Sequence, residues 1–355
     1  MRKIRVLVVE DSVVMRRAIM VALAKDPALE VAAAARNGAE ALELIPTVDP
    51  DVVTLDIEMP VKDGLATLRE LRRDRPQLPV IMFSSHTQRG AQATLLALTL
   101  GATDCVGKPA NMSSVTDSWK CLEEELLPKV RLHGEHAIQR GERPVRVASP
   151  PAAAANGTSV RSRLVSAVCL GVSAGGPNAL VRIFSRLTDP LPVPVFLVQH
   201  MPAMFTRMLA ERLTSISQMQ FHEAEDGMVV EAGRGYLAPG GRHMTVAQAD
   251  GQTRVHLNDD PPENSCRPAV DILFRSAAAV YGPRLLAVIL TGMGKDGLRG
   301  CELVREHGGR ILAQDEATSV VWGMPRAVFE AGLADAVLPL EQFPDELVRL
   351  TRVGR

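Results

Sequence analysis

From Ile4 to about Leu127, short apolar runs alternate with segments of helical periodicity. IRVLVVE, EVAAAA, DVVTLD, LPVIMFSS and TDCVG read as strands. VVMRRAIMVALA and LATLRELRRD place apolar residues three and four apart, as an amphipathic helix does. Strands interleaved with helices predict a parallel, doubly wound α/β sheet with right-handed crossovers. The alternation resumes after Leu164, where SAVCLGVS, PVPVFLVQH, LLAVILTG and RILAQ predict buried strands of a second parallel-sheet domain. Between its second and third runs lies DGMVVEAGRGYLAPGGRHMTVAQADGQTRVHLND. Its glycines and period-two patterning predict β-hairpins inserted into that domain.

The stretch 131–163 breaks the pattern. It has almost no large apolar residues and is rich in Pro, Gly, Ser and Ala, with six arginines against two glutamates. Such a segment buries too little surface to offset its ordering entropy. The expected organisation is a domain over 1–127, a flexible linker over 128–163 and a second domain over 164–355. The 355 residues suit two ordinary domains, and 46% hydrophobic content gives each a core.

Forty basic and 41 acidic side chains leave a net charge of −1, which gives the chain no bias toward nucleic acid or anionic membrane. No apolar run approaches the roughly 20 residues that span a bilayer, so direct membrane insertion is not expected. The opening MRKIRVLVVEDS turns acidic early and has no small-residue cleavage site, so no secretory signal is expected. Cys105, Cys121, Cys169, Cys266 and Cys301 are scattered without C-x-x-C spacing, and read as reduced thiols of a cytoplasmic protein.

Two groups of residues carry candidate chemistry. Glu10 and Asp11 end the first strand, Asp56 the third and Ser84 the fourth, and Lys108 follows the fifth. Strand ends converge at the carboxyl edge of a parallel sheet, where open α/β folds bind ligands. Three carboxylates there repel unless a divalent cation joins them, and hard oxygen donors suit Mg²⁺. An aspartate flanked by metal, ammonium and hydroxyl can accept a phosphoryl group. Each residue alone has a plainer reading, as helix cap or solvated side chain; their joint placement is the signal.

In the second domain Ser173 follows the strand SAVCLGV and precedes A-G-G-P. That turn exposes a hydroxyl beside backbone N–H groups and a helix N-terminus. His200 closes PVFLVQH, and Asp296 follows LLAVIL within T-G-M-G-K-D-G. All fall at one sheet edge, as Ser-His-Asp acyl transfer requires, with the Met293 N–H a candidate oxyanion donor. G-V-S-A-G also fits the nucleophile elbow of α/β-hydrolases, in which the acid precedes the histidine. At the strand ends the only order available is Ser, His, Asp; a pairing such as Asp226 with His243 would lie in the hairpin insertion, away from the sheet edge.

Glu10, Asp11, Asp56, Ser84 and Lys108, with the run D-I-E-M-P-V-K-D-G from Asp56, resemble the response-regulator receiver family over residues 1 to about 125. G-V-S-A-G-G-P, V-Q-H-M-P, Y-L-A-P-G-G-R-H-M, C-R-P-A-V-D-I-L-F and L-T-G-M-G-K-D-G closely resemble the catalytic domain of the CheB-type chemotaxis methylesterases, from about 164 to 345. The resemblance implies a flavodoxin-like receiver followed by a Rossmann-like esterase domain. Asp56 is then the phosphoacceptor, Glu10, Asp11 and Asp56 the Mg²⁺ ligands, and Ser84 and Lys108 the phosphate sensors. Ser173, His200 and Asp296 become the triad.

By the same resemblance the substrates are glutamyl methyl esters, and some glutamines, of methyl-accepting chemoreceptors. The phosphodonor is a chemotaxis histidine kinase, and hydrolysis itself needs no cofactor. An unphosphorylated receiver is expected to restrain the esterase. Two departures stand out: Cys105 occupies the usual Phe or Tyr switch position, and Ala174 the position where Thr is common. The competing class is an output regulator whose second domain binds DNA or a partner without turnover. The second half shows no basic helix-turn-helix pattern.

Overall fold

A computed structural model describes residues 2–84, 88–108, 123, 126–142 and 164–352. The chain forms two compact units, divided between Gly157 and Thr158.

The first unit carries β1 (Ile4–Val9), β2 (Leu29–Ala35), β3 (Val52–Asp56), β4 (Val80–Ser84) and β5 (Asp104–Gly107). They pair in parallel in the order β2-β1-β3-β4-β5. β3 and β4 are buried along their whole length, which explains their unbroken apolar runs. Helices α1 (Val13–Ala24), α2 (Gly38–Val48) and α3 (Gly64–Asp74) begin at Ser12, Asn37 and Asp63. Each of these side chains accepts the N–H three residues on. α4 (Gln88–Thr99) precedes β5.

The expected flexible linker 128–163 differs from what is observed. It starts inside a helix, α5 (Leu127–Glu142). Val130 is fully buried in the first unit's core, and His133 is buried beside Asp104. Gly134 lies so close to β1 that an added Cβ would sit 2.2 Å from Ile4. Lys129 Nζ reaches Asp104 at 2.8 Å, and this pair holds the helix to β5. Among the described residues Leu127, Val130 and Ile138 of this helix pack on that core, a small share of large apolar residues for its length. Residues 143–163 lie outside the described residues.

The second unit is built on a seven-stranded parallel sheet. β6 (Ala167–Val172) leads through α6 (Gly176–Phe184) to β7 (Val195–Gln199). α7 (Ala203–Ile216), β8 (Gln220–Glu223) and β9 (Arg234–Leu237) follow, and then an antiparallel hairpin of β10 (His243–Ala249) and β11 (Gln252–Asn258). The chain continues through α8 (Val270–Tyr281), β12 (Leu285–Ile289), α9 (Leu298–Glu306), β13 (Arg310–Gln314), α10 (Met324–Glu330), β14 (Ala336–Leu338) and α11 (Phe343–Thr351).

The strand order is β14-β13-β12-β6-β7-β9-β8. β6 lies between β7 and β12, so the chain reverses its direction of travel across the sheet at β6. That switch point is where such sheets open a crevice. Only part of the glycine-rich stretch is hairpin: RGYL enters the main sheet as β9, parallel to both β7 and β8. Packing decides its fate, since Tyr236 is fully buried and ring-stacked on Phe196. Among the described residues no helix is long and apolar enough to cross a membrane.

Candidate active site

The carboxyl ends of β6, β7 and β12 gather the second unit's chemical residues. After β6 the chain turns at Ser173. Gly175 caps α6 at φ 76, a left-handed conformation that glycine adopts without strain. Gly176 N–H donates to Ser173 O at 2.8 Å and closes the turn. His200 N–H donates to Val172 O, and Ser173 N–H to Thr291 O. Gln199 Nε2 ties the ends together, donating to both Ser173 O and His200 O at 3.1 Å. A Cβ added at Gly292 would lie 2.8 Å from that of Ser173, so only glycine lets the T-G-M-G loop approach so closely.

Asp296 is 2% exposed and its Oδ2 lies 2.8 Å from His200 Nε2. Four further donors converge on the carboxylate. Val270 N–H binds Oδ2, while Asp271 N–H, Gly297 N–H and Asn264 Nδ2 bind Oδ1. Burial opposes ionisation of Asp296, but His200 and these N–H groups hold its carboxyl below the ordinary range. Burial likewise lowers the His200 pKa, yet Asp296, followed by Cys266, outweighs it and raises the ring to about 9.

The other ring nitrogen, Nδ1, faces Cys266 Sγ at 3.6 Å. The Ser173 hydroxyl makes no hydrogen bond among the described residues, so the structure joins His200 to Asp296 but does not link the serine to the ring. The Met293 N–H has no hydrogen-bond partner among the described residues, and Gly294 beyond it sits at φ 82. The alternative pair, Asp226 with His243, is not formed. His243 Nε2 donates to Pro261 O and Nδ1 accepts from Ala269 N–H, while Asp226 accepts from Leu257 N–H.

Two contributors escaped the sequence reading. Asn264, at φ 53, bridges the carboxylates of Asp296 and Asp271. Asn adopts the left-handed region more readily than most residues, and that tolerance was its signal in E-N-S-C-R-P. Cys266 has no spacing signal of its own, being one of five scattered cysteines that read as reduced thiols.

In the first unit Glu10 and Asp56 are buried, and Lys108 Nζ lies 2.6 Å from Asp56 Oδ2 and 3.1 Å from Glu10 Oε2. These two buried oxygens approach the ammonium but lack hydrogen-bond geometry. Burial, and then Asp56, raises the Glu10 pKa to about 7 despite Lys108. Burial also raises that of Asp56. Oxygen atoms of Glu10, Asp11 and Asp56 lie within 4.8 Å of one another. Three carboxylates against one ammonium, with under-coordinated hard oxygens, fit a divalent cation such as Mg²⁺. Ser84 is buried at the end of β4, its carbonyl accepting the Lys108 N–H and its Oγ donating to Gly90 O.

Fold and sites define a class: a response regulator whose receiver is followed by an enzymatic α/β domain. The family model described as CheB methylesterase matches residues 168–347, and that described as response regulator receiver domain matches residues 6–120. A protein-glutamate methylesterase/protein-glutamine glutaminase of Trichodesmium erythraeum is 45% identical, over the whole of both chains. One of Pyrococcus abyssi is 42% identical over all of this chain and 95% of its own. The crystal structure of the Thermotoga maritima CheB methylesterase catalytic domain covers 52% of this chain and 98% of its own, at 44% identity and TM-score 0.51. The chain belongs to the CheB methylesterase family.

Proposed function

We propose that this protein hydrolyses glutamyl methyl esters on methyl-accepting chemoreceptors, by a Ser173–His200–Asp296 triad in the cytoplasm, and that phosphorylation of Asp56 raises the rate. The observation that carries the reading is the His200–Asp296 pair, 2.8 Å apart, beside a serine on a strand-to-helix turn. Asp296 occupies Nε2, so Nδ1 is the nitrogen that accepts the Ser173 proton as Oγ bonds to the substrate γ-carbonyl carbon. The Met293 N–H receives the developing oxyanion. His200 returns its proton to the methoxy oxygen, the carbon–oxygen bond breaks and methanol leaves. Water, deprotonated by His200, then attacks the acyl-enzyme; as the acyl–Oγ bond breaks, His200 returns that proton to Ser173 Oγ and glutamate leaves. A receptor glutamine follows the same route with ammonia leaving.

Glu10, Asp11 and Asp56 would hold Mg²⁺, which when bound neutralises phosphoryl oxygens during transfer. Asp56 accepts the phosphoryl group from a chemotaxis histidine kinase, and Lys108 and Ser84 hold it by charge and hydrogen bond. The test is methanol release from methylated receptor membranes, with and without kinase and ATP. A faster rate with the phosphodonor supports the reading. Methanol release by Ser173→Ala equal to that of the intact enzyme contradicts it.

A further inference from the structure

We infer that Cys266 Sγ and His200 Nδ1 form a capture site for a thiophilic divalent cation, Zn²⁺ in particular, and that its occupancy reversibly blocks the esterase. The geometry is already set. A tetrahedral Zn²⁺ with a sulfur at about 2.3 Å and an imidazole nitrogen at about 2.0–2.1 Å holds the two ligand atoms about 3.6 Å apart. Sγ and Nδ1 are 3.6 Å apart.

The ring is also oriented as a metal ligand should be. A zinc-binding histidine gives its second ring N–H to a carboxylate, which fixes the tautomer and leaves the other nitrogen's lone pair for the metal. Asp296 holds Nε2 in this way, itself anchored by Val270, Asp271, Gly297 and Asn264. Ligand atoms of His200, Cys266 and Asp296 cluster within 4.8 Å. Both Cys266 and His200 are only partly buried, so water can complete the coordination shell.

Two protein ligands make a weaker site than the four of a structural zinc centre, which suits reversible inhibition. Binding expels the thiol proton of Cys266 and any proton on Nδ1. The softness of sulfur separates this site from the all-oxygen cluster at Glu10, Asp11 and Asp56, which takes Mg²⁺. With Nδ1 coordinated, the ring cannot take the Ser173 proton. The inhibitory consequence rests on the esterase reading above; the metal capture does not.

The experiment uses the full chain in excess Mg²⁺. Co²⁺, as a coloured surrogate for Zn²⁺, should produce a thiolate-to-metal charge-transfer band that Zn²⁺ displaces and Cys266→Ser lacks. In the unaltered chain Zn²⁺ should slow iodoacetamide labelling of Cys266 and leave that of Cys105 unchanged, a readout that needs no variant. Zn²⁺ should lower methanol release on the order of 10²-fold, the worth of a general base, with recovery on adding EDTA. The rate of Cys266→Ser should not respond to Zn²⁺. Absence of both the band and the labelling protection overturns the site. Band and protection without inhibition leave the metal site standing and overturn its role as a block and, with it, His200 as the base.

Discussion

Asp296 Oδ2 lies 2.8 Å from His200 Nε2, so the carboxylate grips the outer nitrogen of the ring and leaves Nδ1 on the Cys266 side. In the familiar serine-protease arrangement the acid holds Nδ1 and Nε2 faces the serine. In this chain the acid holds Nε2 instead, so the proposed chemistry would run with the nitrogens exchanged. Strand order makes this workable: β6 separates β7 from β12, so histidine and acid reach across the serine's own strand end.

The pH dependence follows from that pair. His200 titrates near 9, raised by Asp296 and Cys266 against burial. Only the neutral ring accepts a proton, so kcat/KM of the full chain should climb with pH and level off above about 9. The folded-state pKa lies above the unfolded value of 6.5. The pair's contribution to stability is therefore complete below 6.5 and is lost as pH rises through about 9. A rate profile already flat between about pH 6.5 and 9 would contradict this assignment.

Asn264 positions the acid. Its amide donates to Asp296 Oδ1 at 2.9 Å and to Asp271 Oδ2 at 2.8 Å, which separates two buried carboxylates. A hydrogen bond to a charged group is worth about 1.5–3 kcal/mol, and the backbone donors remain, so Asn264→Ala should lower kcat by about tenfold. KM should change little, and the pKa of the kcat/KM profile should move. An unaltered kcat and pH profile would show that the backbone donors alone hold Asp296.

The receiver offers a third measurement. Glu10 titrates near 7, raised by burial and then by Asp56. Metal ligation needs the carboxylate, so Mg²⁺ affinity should fall as pH drops below about 7, more steeply than for an ordinary glutamate. The metal-free folded state holds this proton between 4.5 and about 7 while the unfolded chain does not, so its stability falls as pH rises across that window. Titration calorimetry with Mg²⁺ at several pH values checks the first effect. Equal affinity on both sides of pH 7 would show Glu10 to be ionised throughout.

Much of this was legible in the sequence because strands buried on both faces announce themselves as apolar runs. Residues at the ends of such runs, from Glu10 to Lys108 and from Ser173 to Asp296, were therefore placed on the correct sheet edges. The sheet a short strand joins was not legible: RGYL lies in a stretch that reads as hairpin, and the packing of Tyr236 on Phe196 takes it into the main sheet. Helix α5 is not legible because His133 is held by a hydrogen bond to Asp104 and Gly134 packs through lack of bulk. Composition registers neither. The ring orientation of His200, and hence the pairing of Nδ1 with Cys266, depends on how α8 and its preceding loop meet β12. Strand-end logic says nothing of that meeting.

Reaction of the full chain with a serine-directed phosphonylating probe tests the centre of the account most directly, with peptide mass spectrometry to locate the adduct. The expected result is one adduct, on Ser173, formed far more slowly in His200→Ala and absent from Ser173→Ala. An adduct on another serine, or labelling of Ser173 at full rate without His200, would contradict the proposed chemistry.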